Sequence, residues 1–271
     1  MPNHSFRIKP RNEHIAYAPV AMVLATLPHS RVDGCEFVRR NGHHWLSLIA
    51  PSHTGIPYGV FPRLLLIWMT TQVKIKNSRD ITLGDSCRQF MRSLGTQSTG
   101  GKSGSIGRLR RQMLSLLQCS ISFYCQEDFQ DIERGMRLTD HSFLWWKPSD
   151  DLTLKGGFLR ISEQFFLEIN RSAFPIDMRA VKELRRSPMA LDIYMWITYR
   201  VYGLGKPCLI PWEQLSQQFG SDYSKLWHFE KAFTKYLERV KTVYPDLKAY
   251  GVSGRGLYLY PSRPHISPVC G

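Results

Sequence analysis

The chain has 271 residues, 43% hydrophobic and 12% aromatic, enough to pack one large core or two ordinary ones. Lys and Arg number 36 against 22 Asp and Glu, a formal charge of +14 that favours polyanionic partners, nucleic acid ahead of anionic membrane. No apolar run reaches the roughly 18 to 20 residues of a membrane span, and the six cysteines (Cys35, Cys87, Cys119, Cys125, Cys208, Cys270) are scattered without a CxxC, as expected of reduced thiols in a cytosolic protein.

Near the start, Arg7, Lys9 and Arg11 precede the apolar run Ile15 to Leu27, the charge pattern of a secretion signal. Pro19 interrupts the run, Glu13 and His14 stand at its entrance and no small-x-small cleavage site follows, so a secretion signal is not expected. Residues 32–50 read as a β-hairpin: Glu36 to Arg40 and His44 to Ile49 flank Asn41-Gly42, a pair suited to the centre of a type I′ turn.

From residue 56 the chain runs through one order of elements twice. The first pass opens with a helix near Pro62 and a short strand, Ile81 to Leu83. A helix starting at Gly84-Asp85-Ser86 and ending at Gly95 follows, then a Gly-rich turn and a helix from Ser105 to Cys119. It closes on β-prone Ile121 to Tyr124 and a later strand around Phe143 to Trp146. The second pass opens at Ser187-Pro188 and continues with the strand Cys208 to Ile210, a helix ending at Gly220, and a long helix from Asp222 to about Val243. The last hairpin pairs Lys248 to Tyr250 with Leu257 to Tyr260 around Gly251 to Gly256. Pro62 and Pro188 are 126 residues apart, and Gly95 and Gly220 are 125 apart, so the order recurs at a nearly constant offset. Residues 156–180 would join the passes through a strand at Phe158 to Ile161, a short helix and Pro175.

The expected fold is α+β, with two tandem winged-helix domains, each a helix-turn-helix followed by a β-hairpin wing. The boundaries expected are 1–55 for an N-terminal segment with the hairpin, 56–160 for the first winged helix and 161–265 for the second. In such a unit the second helix of the pair is the one that can enter a major groove. At about 100° per residue, Leu226, Phe229, Phe233, Leu237 and Val240 share one face of the second candidate. Ser224, His228, Lys231, Lys235 and Arg239 share the other, with Lys225 beside them. In the first candidate Ile106, Leu109, Met113, Leu116 and Leu117 form the inner stripe; Arg108, Arg111 and Ser115 face out, with Arg110 near the boundary. The preceding turn, with Lys102, Ser103 and Ser105, would let backbone N–H groups approach a phosphate. Arg185 and Arg186, and Arg255 at the last hairpin's tip, complete the candidate DNA-binding set. Trp68, Trp196 and Tyr199 read as core, as do Trp145 and Trp146 on a strand.

Catalytic signatures are missing from the sequence. Gly101-Lys102-Ser103 lacks the earlier glycine of a phosphate loop, because that position is Thr96. The adjacent His43 and His44 would point to opposite faces of a strand, wrong for a shared metal, and no Cys/His zinc spacing occurs. No catalytic residue, metal or cofactor is expected.

Several long runs carry a family resemblance: ATLPHS, VRRNG, GIPYGVFPRLLLIWMTTQ, LGDSCRQFMRSLG, TGGKSGSIGRLRRQM, LRRSPMALDIYMWITYR and IPWEQLSQQFG. From about residue 20 to residue 265 the chain resembles the plasmid-encoded RepA family of replication initiators. The resemblance implies a bacterial, cytoplasmic protein that binds repeated sites, or iterons, at a plasmid origin and opens adjacent DNA. It further implies recruitment of the host replicative helicase and host initiator, repression of its own promoter, plasmid copy control, and a monomer–dimer equilibrium. A winged-helix transcriptional repressor is the alternative reading, and a metal-dependent origin-nicking enzyme a more distant one.

Overall fold

Short-range signals fix most helix ends. In the computed structural model, which describes residues 14–99, 104–127, 130–144, 156–220 and 222–267, the first pass begins with α2 (Val60–Lys76), β4 (Asp80–Gly84) and α3 (Cys87–Ser93). Ser86 caps α3 by accepting the Gln89 N–H. Gly95, at φ +70, ends it: Gly95 N–H donates to Arg92 O and Thr96 N–H to Met91 O, the paired bonds of a Schellman motif. α4 (Ser105–Gln118) follows. The second pass runs α7 (Pro188–Tyr202), β10 (Cys208–Pro211), α8 (Trp212–Phe219), α9 (Leu226–Val243), β11 (Ala249–Val252) and β12 (Gly256–Leu259). Ser187 caps α7, with Pro188 in the first turn, where its missing N–H costs nothing.

The architecture is α+β, with helices packed on small antiparallel sheets. The two passes match in topology. In the second, the sheet order is β10-β12-β11. In the first, the equivalent sheet is β4-β8-β7, where β7 is Thr139–Phe143 and β8 is Gly157–Ile161. The segment read as a linker strand, Phe158 to Ile161, is thus the central strand of the first unit's sheet. Ile121 to Tyr124 does not close that sheet either. It lies in β5 (Ser120–Glu127), which pairs with β6 (Gln130–Met136) and with the N-terminal hairpin β2 (Glu36–Asn41) and β3 (His44–Ile49) in the order β2-β3-β5-β6. The first unit therefore carries an inserted hairpin between its last helix and its closing strands. Trp145 and Trp146, expected on a strand, fall outside the described residues.

The β2–β3 turn is shifted by one residue from expectation. Asn41 pairs with His44, so the two central positions are Gly42 and His43. Only Gly42 has positive φ, at +59, and glycine first is the arrangement of a type II′ turn.

The apolar run Ile15 to Leu27 folds as β1 (Ile15–Ala18) and α1 (Ala21–Leu24), with Ala18, Met22, Val23 and Leu27 in the core. β1 pairs antiparallel with β9 (Phe174–Asp177) and packs on α2, α1 packs on α7, and β2 packs on α8, so residues 14–41 pack against both units. The remaining helices, α5 (Glu163–Ser172) and α6 (Met178–Leu184), bridge the passes, each capped by a side chain, Ser162 and Asp177.

A buried ion pair couples the opening helices of the two passes. Arg63 on α2 is 0% exposed and forks onto Asp192 on α7, Nε to Oδ1 at 2.7 Å and Nη2 to Oδ2 at 2.6 Å. Its other donors reach the carbonyls of Leu27 (2.7 Å), Pro28 (3.1 Å) and Gly59 (2.7 Å), so the guanidinium's five N–H groups are all used. His29 Nε2 lies 2.8 Å from Asp192 Oδ2. Beside this, buried Arg39 on β2 donates to Thr26 Oγ1 (2.8 Å) and to Gln218 O at the end of α8 (2.6 Å). Burial pulls the Arg39 guanidinium down to about 10, leaving it charged at neutral pH.

Breaking a buried pair strands a charge. Asp192→Ala is expected to cost about 3–5 kcal/mol of unfolding free energy, measured by urea titration. The pH dependence follows from the same cluster. Burial pushes the Asp192 carboxyl up, but the Arg63 charge and the hydrogen bonds from His29 and Arg63 outweigh it and hold the group below its ordinary value of 3.8. Burial holds His29 below its ordinary 6.5, against the pull of Asp192. The unfolded chain therefore takes up protons at higher pH than the folded one at both positions. Stability should be full at neutral pH and decline as pH falls through 6.5 and then through 3.8, and His29→Gln should remove the first decline from a plot of urea midpoint against pH.

Candidate nucleic-acid interface

The apolar side of α9 explains its orientation. Phe229, Phe233, Leu237 and Val240 are fully buried, and Trp212 of α8 meets Phe233 edge-on at 5.7 Å between ring centroids. Phe219 packs on the same ring at 5.6 Å. With that stripe fixed against α7 and α8, the opposite side must face solvent.

On that side the helix exposes His228, Lys231 and Lys235, with half-buried Arg239 one turn further on, at spacings of three, four and four residues. The Arg239 guanidinium lies 5.9 Å from the Tyr236 ring centre. Ser224 and Lys225 are exposed but lie ahead of the helix, which starts at Leu226 and not at Asp222. The first turn holds no acidic residue. Glu230 accepts the Gly254 N–H at 3.3 Å, and Glu238 is paired with Lys241 at 3.1 Å.

That Glu230 bond also positions the β11–β12 turn. It holds the turn beside the second turn of α9, and Arg255, next to the bonded Gly254, is exposed. The same turn end is tied to α8, where Trp212 Nε1 donates to Val252 O, the last residue of β11, at 2.9 Å. Lys225, His228, Lys231, Lys235 and Arg255 are all exposed.

The first unit repeats part of this. Arg108 and Arg111 are exposed on α4, whose Leu109, Met113, Leu116 and Leu117 are buried. Ser115 does not face out: it is 1% exposed, and its hydroxyl donates to Thr54 O at 2.8 Å and Arg111 O at 3.0 Å. Ser105 is also buried, its hydroxyl donating to Gln97 O at 2.7 Å and accepting the Thr99 N–H at 2.8 Å. Both serines hold the turn and helix in place and present no hydroxyl to a ligand. Lys102 and Ser103 lie outside the described residues. Arg185 is half-buried and donates to Lys182 O, whereas Arg186 is exposed after α6, which packs on α9.

Sequence reasoning passed over two features here. Arg88 and Arg92 are exposed on α3. Leu226 and Trp227 are 37% and 57% exposed at the start of α9, although Leu226 was placed on the apolar stripe. Trp227 precedes Lys231 by four residues, so helical spacing alone puts it on the outer face. Among the described residues no group of three or more His, Cys, Asp or Glu is arranged to hold a metal ion, and no helix is long and apolar enough to cross a membrane.

The sequence family described as "Plasmid encoded RepA protein" matches residues 56–213, more than half of the chain. The chain belongs to this family of plasmid replication proteins. The match runs from the approach to α2 through the start of α8, so α4 lies within it and α9 beyond it. A crystal structure of domains 2 and 3 of RctB has a similar fold, with a TM-score of 0.58 over 92% of this chain and 97% of that one, at 11% sequence identity. No curated protein matches the sequence.

The hairpin beside α9 in this RepA-family protein depends on one close approach. A Cβ on Gly256, where φ is +156, would stand 2.2 Å from the Ile210 carbonyl oxygen. Gly256→Ala is expected to part β12 from β10 at that end and cost about 1–3 kcal/mol. Hydrogen exchange should then rise across residues 249–259 while the central amides of α9 stay protected.

Proposed function

We propose that this RepA-family protein is a plasmid replication initiator that binds repeated sites in double-stranded origin DNA, and that each unit is a winged helix. The single observation that carries the reading is the outer side of α9. Its cations run along about three turns opposite a fully buried aromatic stripe, and the following hairpin is docked beside them with Arg255 at its turn.

In this reading α9 lies in a major groove, where His228 approaches base edges and Lys231, Lys235 and Arg239 meet the phosphates of the groove wall. Arg255 meets the backbone beyond the groove. The first unit adds Arg108 and Arg111 from α4, and Lys102, Ser224, Lys225, Arg185 and Arg186 contribute backbone contacts. The role is non-enzymatic: strain from binding adjacent repeats opens nearby DNA, and the host helicase and host initiator are then recruited. A monomer–dimer balance and repression of the protein's own promoter belong to the same proposal, as does a cytoplasmic site of action.

The test is a binding titration on DNA flanking the protein's own gene, against scrambled DNA of equal length, at two salt concentrations. Preference for a repeated sequence that survives at the higher salt is the expected result. Equal binding to both DNAs, collapsing as salt rises, would overturn it. Lys231→Ala and Lys235→Ala should each weaken binding to every sequence and lower the slope of log affinity against log salt by about one.

A further inference from the structure

Two of the largest exposed apolar side chains sit side by side where α9 begins. Trp227 is 57% exposed and Leu226 is 37% exposed, although three aromatic residues of the same helix and its neighbour α8 are wholly buried a turn away. An indole offers one of the largest apolar surfaces of any side chain, and leaving it in water forgoes that stabilisation. The core has no place for it, because Phe229 and Phe233 already fill the stripe that faces α7 and α8. Trp227 is also braced: the His228 ring lies 3.6 Å away, centroid to centroid, at an angle of 47°. One side of the indole is thereby covered, and the remainder projects from the helix.

The surroundings of this apolar tip are cationic and polar. Ser224, Lys225, His228 and Lys231, all exposed, lie within four residues of it along the chain, the first turn of the helix holds no acidic residue, and Glu230 is engaged by the Gly254 N–H. A ligand that fits must be anionic at the rim and present small apolar groups at the centre. In a duplex major groove, phosphates form the rim, and the C5-methyl groups of thymine are the apolar groups on the floor. A second protein copy would bring this chain's own cationic surface against itself.

We infer that Trp227, with Leu226 beside it, is a specificity-determining contact that recognises thymine in the major groove through its C5-methyl group. This rests on the reading of α9 as the groove-binding helix. His228 sets the angle of the indole, and Lys225 and Lys231 hold the flanking phosphates, so the lysines supply affinity without sequence preference while the indole supplies discrimination. Because Trp227 is exposed, replacing it leaves the packed stripe of α9 untouched.

The experiment uses the full chain and a duplex recovered by repeated selection from a random pool with the wild-type protein. The duplex is made in two forms, one with thymine and one with deoxyuridine at every thymine position, which removes only the C5-methyl groups. Wild-type protein should bind the deoxyuridine form about fourfold more weakly for each methyl contacted. Trp227→Ala should bind the thymine form more weakly and the two forms equally, and Trp227→Phe should restore part of the preference. Lys231→Ala should weaken both forms by the same factor. Equal binding of the two forms by wild-type protein, or an unchanged preference in Trp227→Ala, would overturn the inference and leave the DNA-binding reading standing. Failure of wild-type protein to select any duplex would overturn both.

Discussion

The fork between Arg63 and Asp192 constrains the molecule more than any other single contact. It joins α2 to α7, the opening helices of the two units, in surroundings from which water is excluded. Two charges removed from water cost several kcal/mol each, and that cost is offset only when every remaining donor and acceptor is matched. Here the match is complete for Arg63, but three of its partners are carbonyls of Leu27, Pro28 and Gly59, which belong to neither helix. The segment ahead of α2 must therefore wrap both units before the pair can form. That requirement ties the N-terminal residues, the first unit and the second into one body.

Around this clasp the two units share a plan and differ by an insertion. Each places its three strands in the order first, third, second beside its helices. The first unit interrupts the plan with β5 and β6, which recruit β2 and β3 into a four-stranded sheet. The hairpin β2–β3 is by itself too small to be stable, since two strands bury too little surface, and pairing with β5 supplies the missing neighbours. Arg39 on β2, bonded to the end of α8, carries the same sheet across to the second unit. The insertion is thus one of the means by which the units are held together.

The candidate interface follows from what this core leaves over. α9 commits one side to Trp212, Phe219 and the helices beneath, which leaves Lys231 and Lys235 exposed on the other, while Arg239 lies over Tyr236 and Lys241 pairs with Glu238. The turn of the hairpin that follows is positioned by two side-chain bonds, Glu230 to Gly254 and Trp212 to Val252. The fold is shared with RctB domains 2 and 3 at 11% sequence identity.

Much of this was determined by the sequence alone, because the interactions concerned are local. Ser86, Ser187 and Gly95 mark helix ends through bonds to residues within five positions, and the apolar spacing of α4 and α9 reports which side is buried. The repeat offset follows from the same signals. What only the tertiary structure decided is long-range. Phe158 to Ile161 has the composition of any strand, and nothing in it says that its partner is Asp80 to Gly84, more than seventy residues earlier. Helical spacing puts Ser115 on the outward face of α4, and only the packing of the distant Thr54 segment, whose carbonyl accepts its hydroxyl, buries it. Arg63 and Asp192 read as ordinary helix-face charges until two helices 129 residues apart bring them together, because pairing across a fold depends on which surfaces meet and not on neighbours in the chain.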